Sequence, residues 1–476
     1  MYKLADDFDF NLNVESESQD WINKLPCCVL SSILSLLTIK EAVDTCLVSH
    51  RWRNLWKHTI LTRPNLELDI ANIFGPVYAP FAERRLIYHW LAPMSGEFDR
   101  KCYIKRVNEV LELYSGNKLT SFKVAFFLDQ KDTEVLDKWV RFAITKGAQK
   151  LDLRCYGTLS ACDKYVFPHW ILTDLNVSTL KHLSLYQCVL KPPTDFDRFV
   201  QLTTLSLCDV EVDQDFLEHL FSACFLLESL TLISCAMHSN LIIGPSLHLH
   251  DLKVLVCSVF GRIEIDAVNL SSLEYDGYNT QISFMKTPKL VTIFFKGLQG
   301  PLPNVLTQLT SCPELSTLHL QIREYFEHIP QTFLTLRNLK KLKLDLLLDD
   351  LELGSVLNIL RTAPLLEELL MMGFQGMWFE IEFTICILKI ATKLKSMVID
   401  PHGSFYDGDE TWYNITCSYE EGNEDEHPEE VIEGISKDDN VDDNVPYELF
   451  CWQKRGRAAV QERLKDVKTA AQVIIL

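Results

Sequence analysis

The chain has 476 residues, an apolar fraction of 47% and a net charge of −19. That length admits two to four domains or one long repeat array, and the apolar content is ample for a core. The acidity argues against nucleic acid as the main partner, and no apolar run approaches the roughly 18 residues that a membrane span needs. The fifteen cysteines are scattered, often inside apolar runs, with no C-x-x-C pair. Buried free thiols in a reducing compartment are the expectation.

Residues 1–19 are acidic and carry no apolar signal core, which predicts a disordered N-terminus and a cytoplasmic and/or nuclear protein. Residues 20–60 divide into three short helices. Pro26 suits a first turn, because its missing N–H has no partner there. Val29, Leu30, Ile33, Leu34 and Leu37 follow at helical spacing. Thr38 and Glu41 form a T-x-x-E capping box for a second helix, whose stripe is Ala42, Val43, Cys46 and Leu47. Ser49 caps a third, "HRWRNLW", in which Trp52, Leu55 and Trp56 share a face. That segment is also basic, so its rings admit a nucleic-acid reading. The apolar surplus favours core or interface anchors instead: three helices this short cannot bury so many groups among themselves, and a permanent protein partner is expected.

Leu25-Pro26, the Ile33-Leu34-Ser35 block, Lys40-Glu41-Ala42-Val43, Leu47-Val48-Ser49 and Arg51-Trp52-Arg53-x-Leu55-Trp56 stand in an order and spacing that resemble the F-box. That motif docks onto the Skp-type adaptor of SCF (cullin-RING) ubiquitin ligases. The resemblance implies an adaptor-binding set of Leu25, Pro26, Val29, Leu30, Ile33, Leu34, Leu37, Val43, Leu47, Val48, Trp52 and Trp56, and through the adaptor a cullin. Cys27-Cys28 stand where the family usually carries acidic residues, and Thr38 where a proline is common. The first departure removes charge worth a few tenths of a kcal/mol at a helix N-terminus, so an adaptor affinity below the family norm is expected.

Residues 61–147 read as an irregular linker with the first repeat-like units, "LTSFKVAFF" from Leu119 and, just beyond, "AQKLDLRC" from Ala148. Residues 148–402 read as leucine-rich repeats. The pattern L-x-x-L-x-L starts at Leu180, Leu202, Leu227, Leu252, Leu270, Leu290, Leu315, Leu339, Leu366 and Leu394. Alternate letters of each short strand point inward. Helical stretches such as "DFLEHLFSACF", "VLTQLTSC" and "SVLNILRTA" lie between, and Pro288, Pro313 and Pro364 release the chain two residues before a leading leucine. The predicted fold class is α/β: a short three-helix F-box followed by a leucine-rich-repeat solenoid, a curved parallel β-sheet with helices on its outer side. Most of residues 20–400 resembles the plant F-box/leucine-rich-repeat proteins, including the group that often carries a C-terminal FBD segment.

Residues 403–446 carry a net 14 negative charges and read as a disordered linker. Residues 447–476 read as a C-terminal helix that caps the last repeat. No nucleotide-binding, zinc-protease or nucleophile-elbow motif is present, and neither catalysis, cofactor nor metal is expected. The functional face should be the outward strand letters: Tyr186, Val256, Glu274, Asp276, Lys296, His319, Gln321 and Lys343, with Phe294, Leu370 and Met372 as apolar anchors. These readings imply a substrate-receptor subunit holding a target protein, with no nucleic-acid or membrane partner. Two alternatives stay open: a repeat scaffold with a weakened F-box, and a ligand-dependent hormone receptor.

Overall fold

The computed structural model describes residues 21–47, 49–78, 100–156, 163–168, 170–171, 179–190, 199–212, 214–237, 240–244, 248–259, 261–278, 281–298, 308–322, 336–346, 357, 360–374, 378–400, 404–406, 412–414, 457–465, 467 and 469–476. Contacts divide the chain into two compact units, Met1–Met237 and His238–Leu476.

The first unit opens with a helical turn, Trp21–Lys24, and three helices: α1 (Cys27–Leu36), α2 (Ile39–Asp44) and α3 (His50–Ile60). Local chemistry sets their ends. Thr38 and Glu41 form the reciprocal capping box of α2, and the Ser49 hydroxyl accepts the Trp52 N–H at the start of α3. Arg63 donates to the carbonyls of Leu34 and Leu37 at 2.7 and 3.1 Å, satisfying the last turn of α1.

Six parallel strands follow: β1 (Asn65–Asp69), β2 (Ser121–Phe126), β3 (Lys150–Cys155), β4 (His182–Tyr186), β5 (Thr204–Cys208) and β6 (Ser229–Ile233). β1 lies in the segment read as linker; its cue was the alternation of Leu66 and Leu68, both buried. Helices Arg100–Leu113 and Thr133–Thr145 cover the first strands. Tyr103 stacks on Phe126 with ring centroids 3.8 Å apart and meets Trp139 edge-on at 6.1 Å. Arg100 ties that helix to the turn at Asp129 and Asp132 through ion pairs.

The second unit continues the same plan with β7 (Asp251–Leu255), β8 (Ser272–Tyr278), β9 (Thr292–Leu298), β10 (Thr317–Ile322), β11 (Lys341–Leu346), β12 (Glu368–Met372), β13 (Ser396–Asp400) and β14 (Gln472–Ile475), all parallel. Strands β8 to β13 each start after a tight turn in which the leading leucine donates its N–H to the carbonyl three residues back, as in Leu290 to Thr287, Leu315 to Cys312 and Leu366 to Ala363. Pro288, Pro313 and Pro364 sit inside these turns. The inward letters, such as Leu318, Leu320, Leu342 and Leu344, are buried.

Register corrects one repeat. Leu252 pairs with Leu273, the fourth letter of its unit, so the leading leucine of that unit is Leu249. Val256 is accordingly a corner residue and not a strand letter. With Gln187, Asp209 and Ser234 it adopts a left-handed conformation, at φ 53°, 53° and 50° for those three and 52° for Val256. After three of these corners a buried cysteine follows: Cys188, Cys235 and Cys257 each donate S–H to the carbonyl two residues back at 3.4 Å. The chain then runs into short second strands. Leu241–Ile243, Arg262–Ile265 and Gln281–Phe284 form their own parallel ladder. Helices Gln214–Ala223 and Trp378–Ile390 occupy other connections; the described part of "VLTQLTSC" holds a single 3-10 turn, Leu309–Ser311, and residues 355–356 and 358–359 of "SVLNILRTA" lie outside the described residues.

The tail differs from its reading. Within 403–446, Ser404–Tyr406 and Trp412–Asn414 pair antiparallel. Within 447–476, the described helix is only Arg457–Leu464, and Gln472–Ile475 is a strand against β13. The β-branched run Val473, Ile474, Ile475 favours a pleated partner over a helix.

Candidate protein-docking surfaces

The helical period divides α1 into two faces. Leu30 and Leu34 are buried and α1 packs on α3. Val29, Ile33 and Leu36, at i, i+4 and i+7, share a second stripe, roughly 100° round the axis from that pair, and are 40%, 37% and 87% exposed. Leu36 was absent from the sequence-based set, although its i+7 relation to Val29 was a visible cue. Pro26 and Leu47 are also exposed, Leu25, Leu37 and Val43 are half-buried, and Val48 lies outside the described residues. Trp52 and Trp56 are buried. Four members of the expected docking set, Leu30, Leu34, Trp52 and Trp56, are therefore core: they hold the bundle together and are not available to a partner. An exposed leucine beside an exposed valine and isoleucine on one helix face is the kind of apolar patch that marks a protein contact. The basic residues around the tryptophans do not form a stacking groove, since the rings they flank are inside.

The strand face of the second unit is a set of cross-strand rows. Register aligns Lys253, Glu274, Phe294, His319, Lys343, Leu370 and Val398 in one row, and Asp276, Lys296, Gln321, Asp345, Met372 and Asp400 in the next. Lys296 pairs with Asp276, Lys253 reaches Glu274 at 3.3 Å, and Gln321 donates to Asp345 at 2.7 Å. The Phe294 ring meets His319 edge-on at 4.5 Å. Burial, and then the charge of Lys343, pushes His319 down to about 2, and burial pushes the Lys343 ammonium down from its ordinary value. In the first unit Tyr186 packs edge-on against Tyr156 at 5.0 Å, and burial pushes its phenol up.

The expectation of an open strand face is corrected accordingly. Tyr186, Glu274, Asp276, Phe294, Lys296, His319, Gln321 and Met372 are buried, and Lys343 and Leu370 are half-buried. Strands about 4.8 Å apart bring equal letters side by side, and here opposite charges and rings fall opposite each other and pack. The polar rows fix the pairing of neighbouring repeats more than they offer free donors. Among the described residues no cluster of three or more His, Cys, Asp or Glu could hold a metal ion, and no helix is long and apolar enough to cross a membrane. The twelve described cysteines are all free.

A capped three-helix module with an apolar outer face, followed by one parallel strand per repeat, defines an F-box protein with a leucine-rich-repeat array. Residues 22–63 match the F-box domain and residues 110–378 match the family described as the At1g61320/AtMIF1 LRR domain. The chain belongs to that LRR-domain family and carries an F-box at its head. It is similar to three Arabidopsis thaliana proteins: the F-box/LRR-repeat protein 13 (29% identical, over 46% of this chain and 42% of the relative), the F-box protein At5g03100 (26%, over 68% and 88%) and the F-box/FBD/LRR-repeat protein At1g13570 (27%, over 58% and 54%). The chain thus spans about half the length of two of these relatives.

Proposed function

We propose that the chain is a substrate-recognition subunit of an SCF-type ubiquitin ligase in the cytoplasm or nucleus. The F-box docks onto a Skp-type adaptor and through it a cullin, and the repeat array holds a target protein. The carrying observation is the Val29–Ile33–Leu36 face, which the module leaves uncovered while burying Leu30 and Leu34. Fully burying a side chain of this size is worth about 1.5–3 kcal/mol, so three of them supply a substantial share of a stable contact. The contribution to ubiquitin transfer is proximity: a tethered target lysine meets the charged enzyme at a raised effective concentration. The chain itself makes and breaks no bond in that transfer. Co-purification tests the docking half. Leu25→Ala with Pro26→Ala should abolish adaptor recovery, and unchanged recovery refutes the assignment. Proximity labelling with the F-box intact and disabled tests the other half, through proteins that accumulate on the array when ligation is blocked.

A further inference from the structure

The outward strand rows consume their charges, but the edge at which β11, β12 and β13 begin does not. The turns into these strands carry Arg337, Lys340, Lys341, Lys393 and Lys395, all exposed, against Glu367 and Glu368. Both carboxylates are engaged: Lys395 pairs with Glu367 at 2.6 Å and Lys341 with Glu368 at 2.8 Å. Arg337, Lys340 and Lys393 have no carboxylate within ion-pair distance among the described residues. Glu314, ahead of β10, bounds the cluster on one side. The backbone fixes its spacing. The Lys340 carbonyl accepts the N–H groups of Glu367 and Glu368 at 2.8 and 2.9 Å, and the Glu367 carbonyl accepts those of Lys395 and Ser396 at 2.7 and 3.1 Å. Lys340, Glu367 and Lys395 are therefore one cross-strand row, with about 4.8 Å between neighbours and about 10 Å between the two lysines. Lys393 stands two residues before Lys395 in the same turn. The Lys395 hydrogen bond first, and then the charges of Lys395, Lys340 and Lys393, hold the Glu367 carboxyl below its ordinary value. In a chain of net charge −19 this edge is a local reversal of sign.

We propose that this edge docks an acidic stretch of the protein held by the array, an extended segment rich in Asp and Glu that crosses the starts of β11, β12 and β13. That the held protein is a ligation target rests on the function proposed above; the site itself does not. Carboxylates two residues apart on an extended segment stand about 7 Å apart, within reach of ammonium groups on flexible lysine stems. Each such pair is exposed and screened by salt, so binding comes from several weak contacts made together. The rest of the acidic surface repels the ligand and confines it to this edge. The three turns hold no aromatic residue, so the stacking platform of a single-stranded nucleic-acid groove is missing from them. Glu367 orients Lys395 but opposes the ligand with its own charge.

Fluorescence anisotropy of a labelled decaglutamate peptide, titrated with the full-length protein, tests the site. Binding is expected at about 50 mM salt and should weaken at least tenfold at about 300 mM. Lys340→Gln with Lys393→Gln should cut the affinity at least fivefold, and Lys340→Arg with Lys393→Arg should retain it. Lys150→Gln with Lys181→Gln removes two exposed lysines at the starts of β3 and β4 and should change it less than twofold. Glu367→Gln should raise it at least twofold. These variants alter surface side chains and should keep the wild-type unfolding midpoint. Equal losses from the two Gln pairs mean attraction to any lysine and overturn the site, as does tighter binding of a single-stranded oligonucleotide of the same charge. Peptide binding that appears only after the acids from Glu420 to Asp443 are changed to amides assigns the edge to the chain's own acidic segment and overturns the proposed occupant. If no adaptor is recovered while decaglutamate binds as expected, the ligase assignment fails and the site stands. If adaptor is recovered and the peptide does not bind, the site fails alone.

Discussion

His319 is 8% exposed, lies edge-on to Phe294 and stands opposite Lys343 in register. Burial first, and the Lys343 charge second, push it down to about 2. Its folded value is thus below its unfolded value of about 6.5. The folded state binds fewer protons, so the histidine's contribution to stability is fully present above about 6.5 and is lost progressively as pH falls from there toward about 2. Between about pH 7.5 and about pH 5.5 an unfolded histidine gains most of a proton that the folded one refuses. Linkage makes that loss about 1.4 kcal/mol. His319→Gln removes the titration and keeps a polar side chain. Urea unfolding of both proteins at the two pH values, followed by circular dichroism, isolates the group, because every other titration cancels in the difference. The wild type should lose about 1.4 kcal/mol more than the variant over that interval. Equal losses would mean that His319 takes up its proton in the folded array, and the account of a dry, packed strand face would be wrong.

Four other substitutions probe the remaining steps. Leu36→Glu, on a side chain 87% exposed, should leave the unfolding midpoint within about 0.5 kcal/mol of wild type while cutting adaptor affinity, measured by calorimetry, at least tenfold. Leu34→Ala, in the buried face of the same helix, should cost about 2–5 kcal/mol by the same unfolding assay. Asp276→Ala leaves Lys296 buried without its carboxylate and should cost about 3–5 kcal/mol, most of it recovered when Lys296→Met is added to Asp276→Leu. Val256→Asn should raise the melting temperature, since a β-branched residue at φ 52° gives up about 1 kcal/mol of left-handed strain and, being 45% exposed, loses little packing.

Much of the repeat architecture was legible because its cause is local. A strand of five residues with two inward letters, entered through a leucine and a three-residue turn, repeats its whole logic every unit. The ten motifs all became parallel strands within their own unit, and only the phase at Leu252 slipped. That slip has a physical source: "LHLHDLKVLVC" offers leucines at both Leu249 and Leu252, and a three-residue shift preserves most of the pattern. β1 was missed because its two inward leucines follow a helix without the leading-leucine turn. The second ladder was missed because strands of three or four residues carry too few letters to show a period.

The surfaces were harder to read, for a reason that differs between the two ends of the chain. In α1 the helical period does separate Val29, Ile33 and Leu36 from Leu30 and Leu34. The apolar content alone does not say which stripe turns inward, and α3 decides that by presenting Trp52 and Trp56 as the larger core groups. On the strands the alternation was read correctly, yet an outward letter is not thereby an exposed one. Its burial depends on the letters beside it, and those come from repeats 20 or more residues away. Glu274 beside Lys253, Lys296 beside Asp276 and Asp345 beside Gln321 are matched only once the register is set. A row so matched discriminates between registers: a slip by one repeat letter would bring unlike charges out of line and leave buried ions without counterparts, at several kcal/mol each. The polar rows therefore give the array its pairing specificity, while the apolar letters beneath give it cohesion. Recognition of a target then falls to groups that the rows do not consume, of which half-buried Lys343 and Leu370 are the nearest on this face.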